Sequence, residues 1–241
     1  MSLKSAYVRG ARVLRAGLRT GRILPGLDRL AQRSRRALWV RSLLAIYDPR
    51  DLAALDVPWW TLEASDLVDA FLRDRPGAKA FEWGSGASTA WLARRGAAVT
   101  SVEHDPQWAD VTRSLLSAGM DVDLRLIPDS AVAGRSGLSA YVDVIDEVGG
   151  TFDVIVVDGR VDAQTREKCL GRALAHLADG GIIVFDNVER RAYREAIAAQ
   201  AVPLDVTWTS GLTPSMPYPT RTALLRVVAA DSDGPGPQEQ P

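Results

Sequence analysis

The sequence predicts an α/β protein. A doubly wound, mostly parallel sheet of seven strands ends in an antiparallel hairpin and is preceded by an N-terminal helical extension. Three observations carry this. From Lys79 onward, short apolar runs alternate with helical stretches, the rhythm of a parallel sheet covered on both faces. Beyond residue 199 the rhythm stops: Asp205–Thr209 and Thr222–Val228 read as strands with no helical pattern between them, so they pair as a hairpin around the Pro-rich loop Gly211–Thr220. Residues 1–50 carry twelve Lys or Arg against Asp28 and Asp48, a balance of +10, while residues 51–241 carry −11. The chain therefore divides into a basic extension and an acidic body.

The elements follow in order. Arg9, Arg12, Arg15, Arg19 and Arg22 recur every three or four residues beside Val8, Ala11, Leu14 and Leu18, which makes a basic amphipathic helix. Gly10, Gly17 and Gly21 weaken it. A second helix spans Leu38–Tyr47 and is ended by Asp48-Pro49; a third, Leu62–Leu72, is closed by Arg73-Asp74-Arg75-Pro76-Gly77. Then come strand Lys79–Trp83, helix Ala87–Arg95, strand Ala98–Glu103, helix Pro106–Ala118 and strand Val122–Ile127. Helix Ser139–Val148, strand Phe152–Asp158, helix Ala163–Leu177, strand Gly181–Phe185 and helix Arg190–Ala199 complete the alternating part. The organisation expected is an extension over 1–57, a ligand-binding domain over 58–229, and a disordered tail over 230–241, which is polar and rich in Pro and Gly.

Composition narrows the function. With 241 residues, 46% hydrophobic and 24% charged, the chain can bury its own core. The single Cys169 makes no internal disulfide, lies inside a predicted helix as a small core residue, and has no His/Cys cluster around it spaced for zinc. No run of about 18 apolar residues reads as a membrane span. The N-terminal stretch lacks the apolar core of a secretory signal, so the cytoplasm is the expected location. The basic helix has three readings: docking on anionic lipid or another polyanion, organellar targeting, or a solvated helix packed on the domain.

The first strand runs through Phe81-Glu82-Trp83-Gly84-Ser85-Gly86-Ala87-Ser88-Thr89 straight into a helix. Glycines there permit a sharp turn and close ligand approach, and the helix N-terminus offers unpaired N–H groups and a positive dipole. About twenty residues on, Val102-Glu103-His104-Asp105 places a carboxylate at the end of the second strand, where ribose hydroxyls would be held. A dinucleotide fingerprint wants a third glycine three residues after the second; that position is Thr89.

With Glu82-x-Gly84-x-Gly86, the acid Glu103, Asp129-Ser130 after the third strand and the terminal antiparallel pair, the sequence resembles the class I S-adenosylmethionine-dependent methyltransferases over residues 58–229. It is most similar to a bacterial group with FEWGSG…ST, SVEHD, VDGR and a late GGxIVFDN, matched at the end by Gly180–Asn187. The resemblance implies a Rossmann-like methyltransferase fold and S-adenosylmethionine as cofactor. Gly84, Gly86, Ser88 and Thr89 would hold its methionine part, and Glu82 would order the loop or touch the amine. Glu103 would take the ribose hydroxyls, His104 would lie against the adenosine, and Asp129 with Ser130 would meet the adenine. Trp60 and Thr61 would either close the pocket or pack in the core.

Methyl transfer to a hydroxyl needs the proton removed, by a general base or through a metal. Asp158 and Asp186 stand at strand ends as candidate bases, with Arg160 positioning the substrate. Asp158, Asp186 and Asn187 also resemble the Mg²⁺ set of catechol-type O-methyltransferases, although the lysine that family carries three residues after the first Asp is Val161 here. The expected activity is O-methylation of a small-molecule or glycan-type hydroxyl. Substrate would meet the N-terminal segment, Arg135–Tyr141 and the loop Leu212–Pro219. No nucleic-acid partner is expected, since no Pro-Pro-Tyr type motif accompanies the basic arm; peripheral contact with an anionic membrane through residues 1–50 and a homodimer stay open. The rival readings are an NAD(P)-dependent oxidoreductase of Rossmann type and a non-catalytic membrane-peripheral protein working through the basic helix.

Overall fold

The computed structural model of the protein describes residues 3–46, 48–128, 137–159 and 162–228. The extension comprises α1 (Leu3–Thr20), α2 (Leu24–Ala31), α3 (Arg35–Ser42) and α4 (Pro49–Ala54), with one 3₁₀ turn at Leu43–Ala45. The helix expected over Leu38–Tyr47 thus starts earlier and stops earlier, and Asp48-Pro49 opens a helix as well as closing one. The reason is capping: Ser34 Oγ accepts from the Ala37 N–H, and Asp48 accepts from the Asp51 N–H while Pro49 takes the first helical position, where no N–H is needed. Ala31, Leu38, Ala45, Leu52 and Val57 share a core with Leu62 and Ala87, so the extension is packed on the sheet domain.

The seven strands are β1 (Lys79–Trp83), β2 (Ala98–Glu103), β3 (Val122–Leu126), β4 (Phe152–Val157), β5 (Leu177–Asp186), β6 (Leu204–Gly211) and β7 (Thr220–Val227). Their order is β3-β2-β1-β4-β5-β7-β6; the first five are parallel and β7 runs antiparallel to both β5 and β6. This is the Rossmann-like methyltransferase fold, as the sequence predicts. Helix α5 (Leu62–Arg73) precedes β1, and the helices between successive strands are α6 (Ala87–Arg94), α7 (Pro106–Arg113), α8 (Gly137–Val148), α9 (Ala163–Ala175) and α10 (Arg191–Ala198).

Alternation along the central strands sorts side chains onto two faces. Phe81, Trp83, Ile155, Val157, Ile183 and Phe185 pack with α8, α9 and α10, and Cys169 is buried among them. Ala80, Val154, Val156, Ile182 and Val184 pack with α5 and α6. Both faces being covered, β4 and β5 are continuously apolar over residues 154–157 and 182–185, and burial of each large side chain contributes about 1.5–3 kcal/mol. Strand β5 begins at Leu177, four residues before the expected Gly181, because Phe152 pairs with Leu177 ahead of a register shift that the left-handed Gly180 accommodates.

Strand order reverses between β1 and β4, and ligands of open α/β sheets bind beyond the strand ends at such a point. Two glycines set the spacing there. Gly84 has φ +97°, and a Cβ built on it would stand 2.5 Å from the Gly159 Cα; one built on Gly159 would stand 2.0 Å from the Tyr141 hydroxyl. The turns after β1 and β4 therefore touch backbone to backbone, which no other residue type permits.

Candidate active site

One cavity of about 460 Å³ opens over the C-terminal ends of β1, β2, β4 and β5. Its size suits a small organic ligand. Its near end is made by Gly84, Ser85, Gly86, Ala87 and Ser88 at the start of α6, with Glu103 at the end of β2 and His104 after it. Asp158, Arg166, Asp186 and Asn187 form its floor, and Glu189, Arg190, Thr213, Met216 and Tyr218 form its far side.

Glu103 is almost wholly buried. Its Oε1 accepts from the His104 and Asp105 N–H groups at 2.8 and 2.9 Å, and its Oε2 from the Ser85 N–H and hydroxyl at 3.2 Å. Burial works to raise its pKa, but the hydrogen bonds from His104 and Asp105 outweigh it and hold the carboxyl below the usual range. It is ionised at neutral pH. His104 Nδ1 lies 2.9 Å from it, and the His104 ring meets Tyr141 edge-on.

Glu82 faces away from the cavity. Fully buried, it accepts from Ser88, from Thr89 at 2.5 Å and from Ser101 at 2.7 Å, and Thr89 in turn accepts from the Gly86 N–H at 2.9 Å. Of its two expected roles the geometry shows loop ordering: the carboxylate ties both sides of the glycine turn to β2. Thr89 is likewise turned inward and does not line the cavity, whereas Ser88 does. Burial pushes the Glu82 carboxyl up to about 7, against those three hydroxyl donors. A carboxyl raised in the fold binds more protons there than in the unfolded chain, so its contribution to stability falls as pH rises from about 4.5 to about 7. Glu82→Gln should remove that fall, and urea titrations across pH 4.5–8 should give a wild-type minus variant difference that slopes downward through this window.

At the floor, the expected magnesium triad is corrected. The cation between these ligands is the Arg166 guanidinium, 2% exposed. One of its nitrogens donates to the backbone carbonyls of Val157 (2.9 Å) and Asp186 (3.0 Å), the other to Asp158 Oδ1 (3.2 Å), the Gly159 carbonyl (3.3 Å) and Asn187 Oδ1 (3.4 Å). Asn187, left-handed at φ +63°, turns its amide N–H toward Asp186 Oδ2 at 2.7 Å, and Thr222 donates to Asp186 Oδ1 at 2.6 Å. Asp158 Oδ1, Asn187 Oδ1 and both carboxylate oxygens of Asp186 are thus engaged by protein donors, and a fixed positive charge in their midst repels a dication. Among the described residues no group of three His, Cys, Asp or Glu is arranged to hold a metal ion. The donor set does not fit Mg²⁺.

Burial raises both carboxyls, and Asp158 adds to the rise at Asp186, which lies well above the usual range. Arg166 opposes the rise at Asp158. Asp186 is 2% exposed and sealed by its hydrogen bonds, whereas the Asp158 side chain is 20% exposed and reaches the cavity. The geometry can therefore take a proton at Asp158.

Sequence reasoning missed Arg166, yet a signal existed. Along α9 the buried positions are Thr165, Arg166, Cys169, Leu170 and Ala173. An arginine in the apolar stripe of a crossover helix must find its partners at the sheet ends. Of the tryptophans, Trp60 belongs to the core, fully buried and edge-on to Trp91 at 5.7 Å. Thr61 caps α5 through the Ala64 N–H. Trp59 lines the cavity instead, stacked with Trp108 at 6.4 Å, and Trp108 donates to the Ser85 carbonyl at 2.6 Å. Thr213, Met216 and Tyr218 of the expected substrate loop do reach the cavity. Asp129, Ser130, Arg160, Val161 and the tail 230–241 lie outside the described residues.

The fold, the glycine turn and the acid that ends β2 are those of the Rossmann-like methyltransferase fold. Within it, residues 81–188 match a family profile described as a methyltransferase domain. An O-methyltransferase from Bacillus cereus in complex with SAH is 21% identical, with a TM-score of 0.57 over 78% of this chain and 90% of that one. TomG, an O-methyltransferase from Streptomyces achromogenes involved in tomaymycin synthesis and solved in complex with SAM, is 20% identical, with a TM-score of 0.55 over 76% and 90%. An rRNA methylase from Streptococcus thermophilus is 17% identical, with a TM-score of 0.50 over 68% and 95%. Among curated proteins no sequence matches. The match to a methyltransferase-domain profile favours the methyltransferase over the nicotinamide and non-catalytic readings. Among the described residues no helix is long and apolar enough to cross a membrane.

Proposed function

We propose that the protein is an S-adenosylmethionine-dependent methyltransferase of the motif group named above, acting on a hydroxyl of a small-molecule or glycan-type acceptor with Asp158 as base. The carrying observation is that a single cavity joins the glycine turn and Glu103 at one end to Asp158 at the other. The similar O-methyltransferases from Bacillus cereus and Streptomyces achromogenes, solved with SAH and SAM, support the cofactor and the reaction type.

When bound, the cofactor supplies a methyl group on a sulfonium, an electrophile with its leaving group built in. The chain must hold it and the acceptor in line, an effect worth up to ~7–11 kcal/mol in well-oriented systems. The cradle residues Gly84, Gly86 and Ser88 and the first N–H groups of α6, which have no intrahelical acceptor, would take its carboxylate end, and ionised Glu103 its ribose hydroxyls. Arg166 is a positioning residue: it fixes Asp158 Oδ1 and ties β4 to β5. The acceptor proton passes to the Asp158 carboxylate, whose raised pKa brings it nearer neutrality and makes it a better base than an ordinary carboxylate. Thr213, Met216, Tyr218 and Arg190 border the space left for the acceptor.

Calorimetric titration with S-adenosylmethionine and S-adenosylhomocysteine tests the cofactor. Saturable binding indifferent to EDTA or added Mg²⁺ is expected, and Glu103→Ala should weaken it by about 10- to 100-fold, the worth of hydrogen bonds to a charged group at ~1.5–3 kcal/mol. No binding by the wild-type protein would sink the reading. On a panel of hydroxyl acceptors, Asp158→Asn should lower kcat by about 10²–10⁴ while cofactor affinity holds, the usual contribution of a general base. An unchanged kcat would remove Asp158 from that role.

A further inference from the structure

We infer that the cleft within the N-terminal extension, closed on one side by Arg95 of the sheet domain, binds a phosphate-bearing anion, with the headgroup of an anionic lipid as the source its surface fits. The cleft has a volume of about 820 Å³, lies between α1–α2, α3–α4 and the end of α6, and shares no lining residue with the candidate active site. Seven arginines and three aspartates line it.

The carboxylates there are already engaged. Buried Arg41 takes Asp28 at 2.7 Å and both oxygens of Asp51 at 2.8 and 2.9 Å; Arg15 takes Asp48 at 2.5 Å and Asp51 at 3.2 Å. Arg95 holds Asp56 at 3.1 Å. Arg35 pairs with Asp66, outside the cleft, and three guanidinium groups are left over: Arg19, Arg22 and Arg50, all exposed and all without a carboxylate partner among the described residues. Arg50 donates only to the Ser114 hydroxyl at 3.2 Å. Convergent guanidinium groups with their forks unspent match the bidentate geometry and double charge of a phosphate.

The membrane source follows from how α1 sits. Arg15 of α1 turns inward onto Asp48 and Asp51, while Val13 and Leu14 stand 67% and 56% exposed and Ile23, at the corner before α2, 55% exposed. Apolar side chains turned outward beside a cationic cleft suit a surface that is anionic in its headgroups and apolar beneath.

The test uses the full chain. Co-sedimentation with phosphatidylglycerol vesicles, with phosphatidylcholine vesicles as reference, runs beside calorimetry with inorganic pyrophosphate. Two variants are compared: the Arg19→Ala, Arg22→Ala, Arg50→Ala triple, and a control triple at Arg29, Arg33 and Arg36, which are exposed on the extension but outside the cleft. The expected result is binding to the anionic vesicles that falls at least tenfold in the cleft triple and much less in the control, with unchanged melting temperature and S-adenosylmethionine titration. Pyrophosphate binding with the same arginine dependence, and none to vesicles, supports the phosphate site and overturns the lipid source. Binding to neither probe, or equal losses in both triples, overturns the inference. The candidate active site is untouched by any of these outcomes.

Discussion

Arg166→Ala is expected to cost about 3–5 kcal/mol of folding free energy at neutral pH, the range for removing one partner of a buried ion pair. The guanidinium donates to carbonyls at the ends of β4 and β5 and to Asp158 and Asn187, so its loss leaves buried Asp186 and partly buried Asp158 without the cation between them, with Arg190 alone opposing the charge at Asp158. The sign of the pH dependence follows. Both carboxyls are raised in the fold, and without Arg166 they rise further; protonation removes the repulsion, so the penalty shrinks as pH falls through their raised range. Urea unfolding of wild type and variant at pH 8 and pH 5 reads this directly. A penalty equal at both pH values would mean that the arginine acts by packing alone. Arg166→Lys should recover only part of the loss, because one ammonium cannot span the carbonyls of two strands and a carboxylate together.

Gly84→Ala should be nearly as damaging, and for steric rather than electrostatic reasons. At φ +97° an L side chain is strained by about 1–3 kcal/mol, and the added Cβ meets Gly159 backbone that has nowhere to go, a further overpacking cost of about 1–3 kcal/mol. The variant should lose S-adenosylmethionine binding along with several degrees of melting temperature, because the turn that would hold the cofactor and the turn that carries Asp158 are forced apart together. Gly171→Ala provides the internal control. It lies within α9 with open space around a built Cβ, and alanine there should raise stability by up to about 1 kcal/mol. If both substitutions lowered stability equally, the contact between the two turns would not be the cause.

These two positions differ in how far a reader of the sequence could have seen them. Gly84 sits in a glycine pair between a strand and a helix, a local pattern whose conformational demand needs no knowledge of the rest of the chain. Arg166 lies in a helix whose other buried positions are Thr165, Cys169, Leu170 and Ala173. Only the crossover that brings α9 over the ends of β4 and β5 tells what a buried cation there would meet. The magnesium expectation failed at the same place: Asp158, Asp186 and Asn187 do converge, but their convergence says nothing about what fills the space between them. The same holds for adjacent Trp59 and Trp60, one in the cavity wall stacked on Trp108 and one sealed against Trp91, a choice made by the direction of the chain entering α5.

By itself, then, the sequence determined the alternation of strands and helices, the antiparallel ending, the glycine turn and the acids that close β2, β4 and β5. All of these are written in residue periodicity and in backbone conformations that few residue types can adopt, both short-range properties. The tertiary structure alone decided that Glu82 braces the loop rather than facing the cavity, that a guanidinium stands among Asp158, Asp186 and Asn187, and that Arg19, Arg22 and Arg50 converge on one cleft. Those outcomes depend on which charges meet across tens of residues, and a buried charge takes its role from the partners that the fold brings to it.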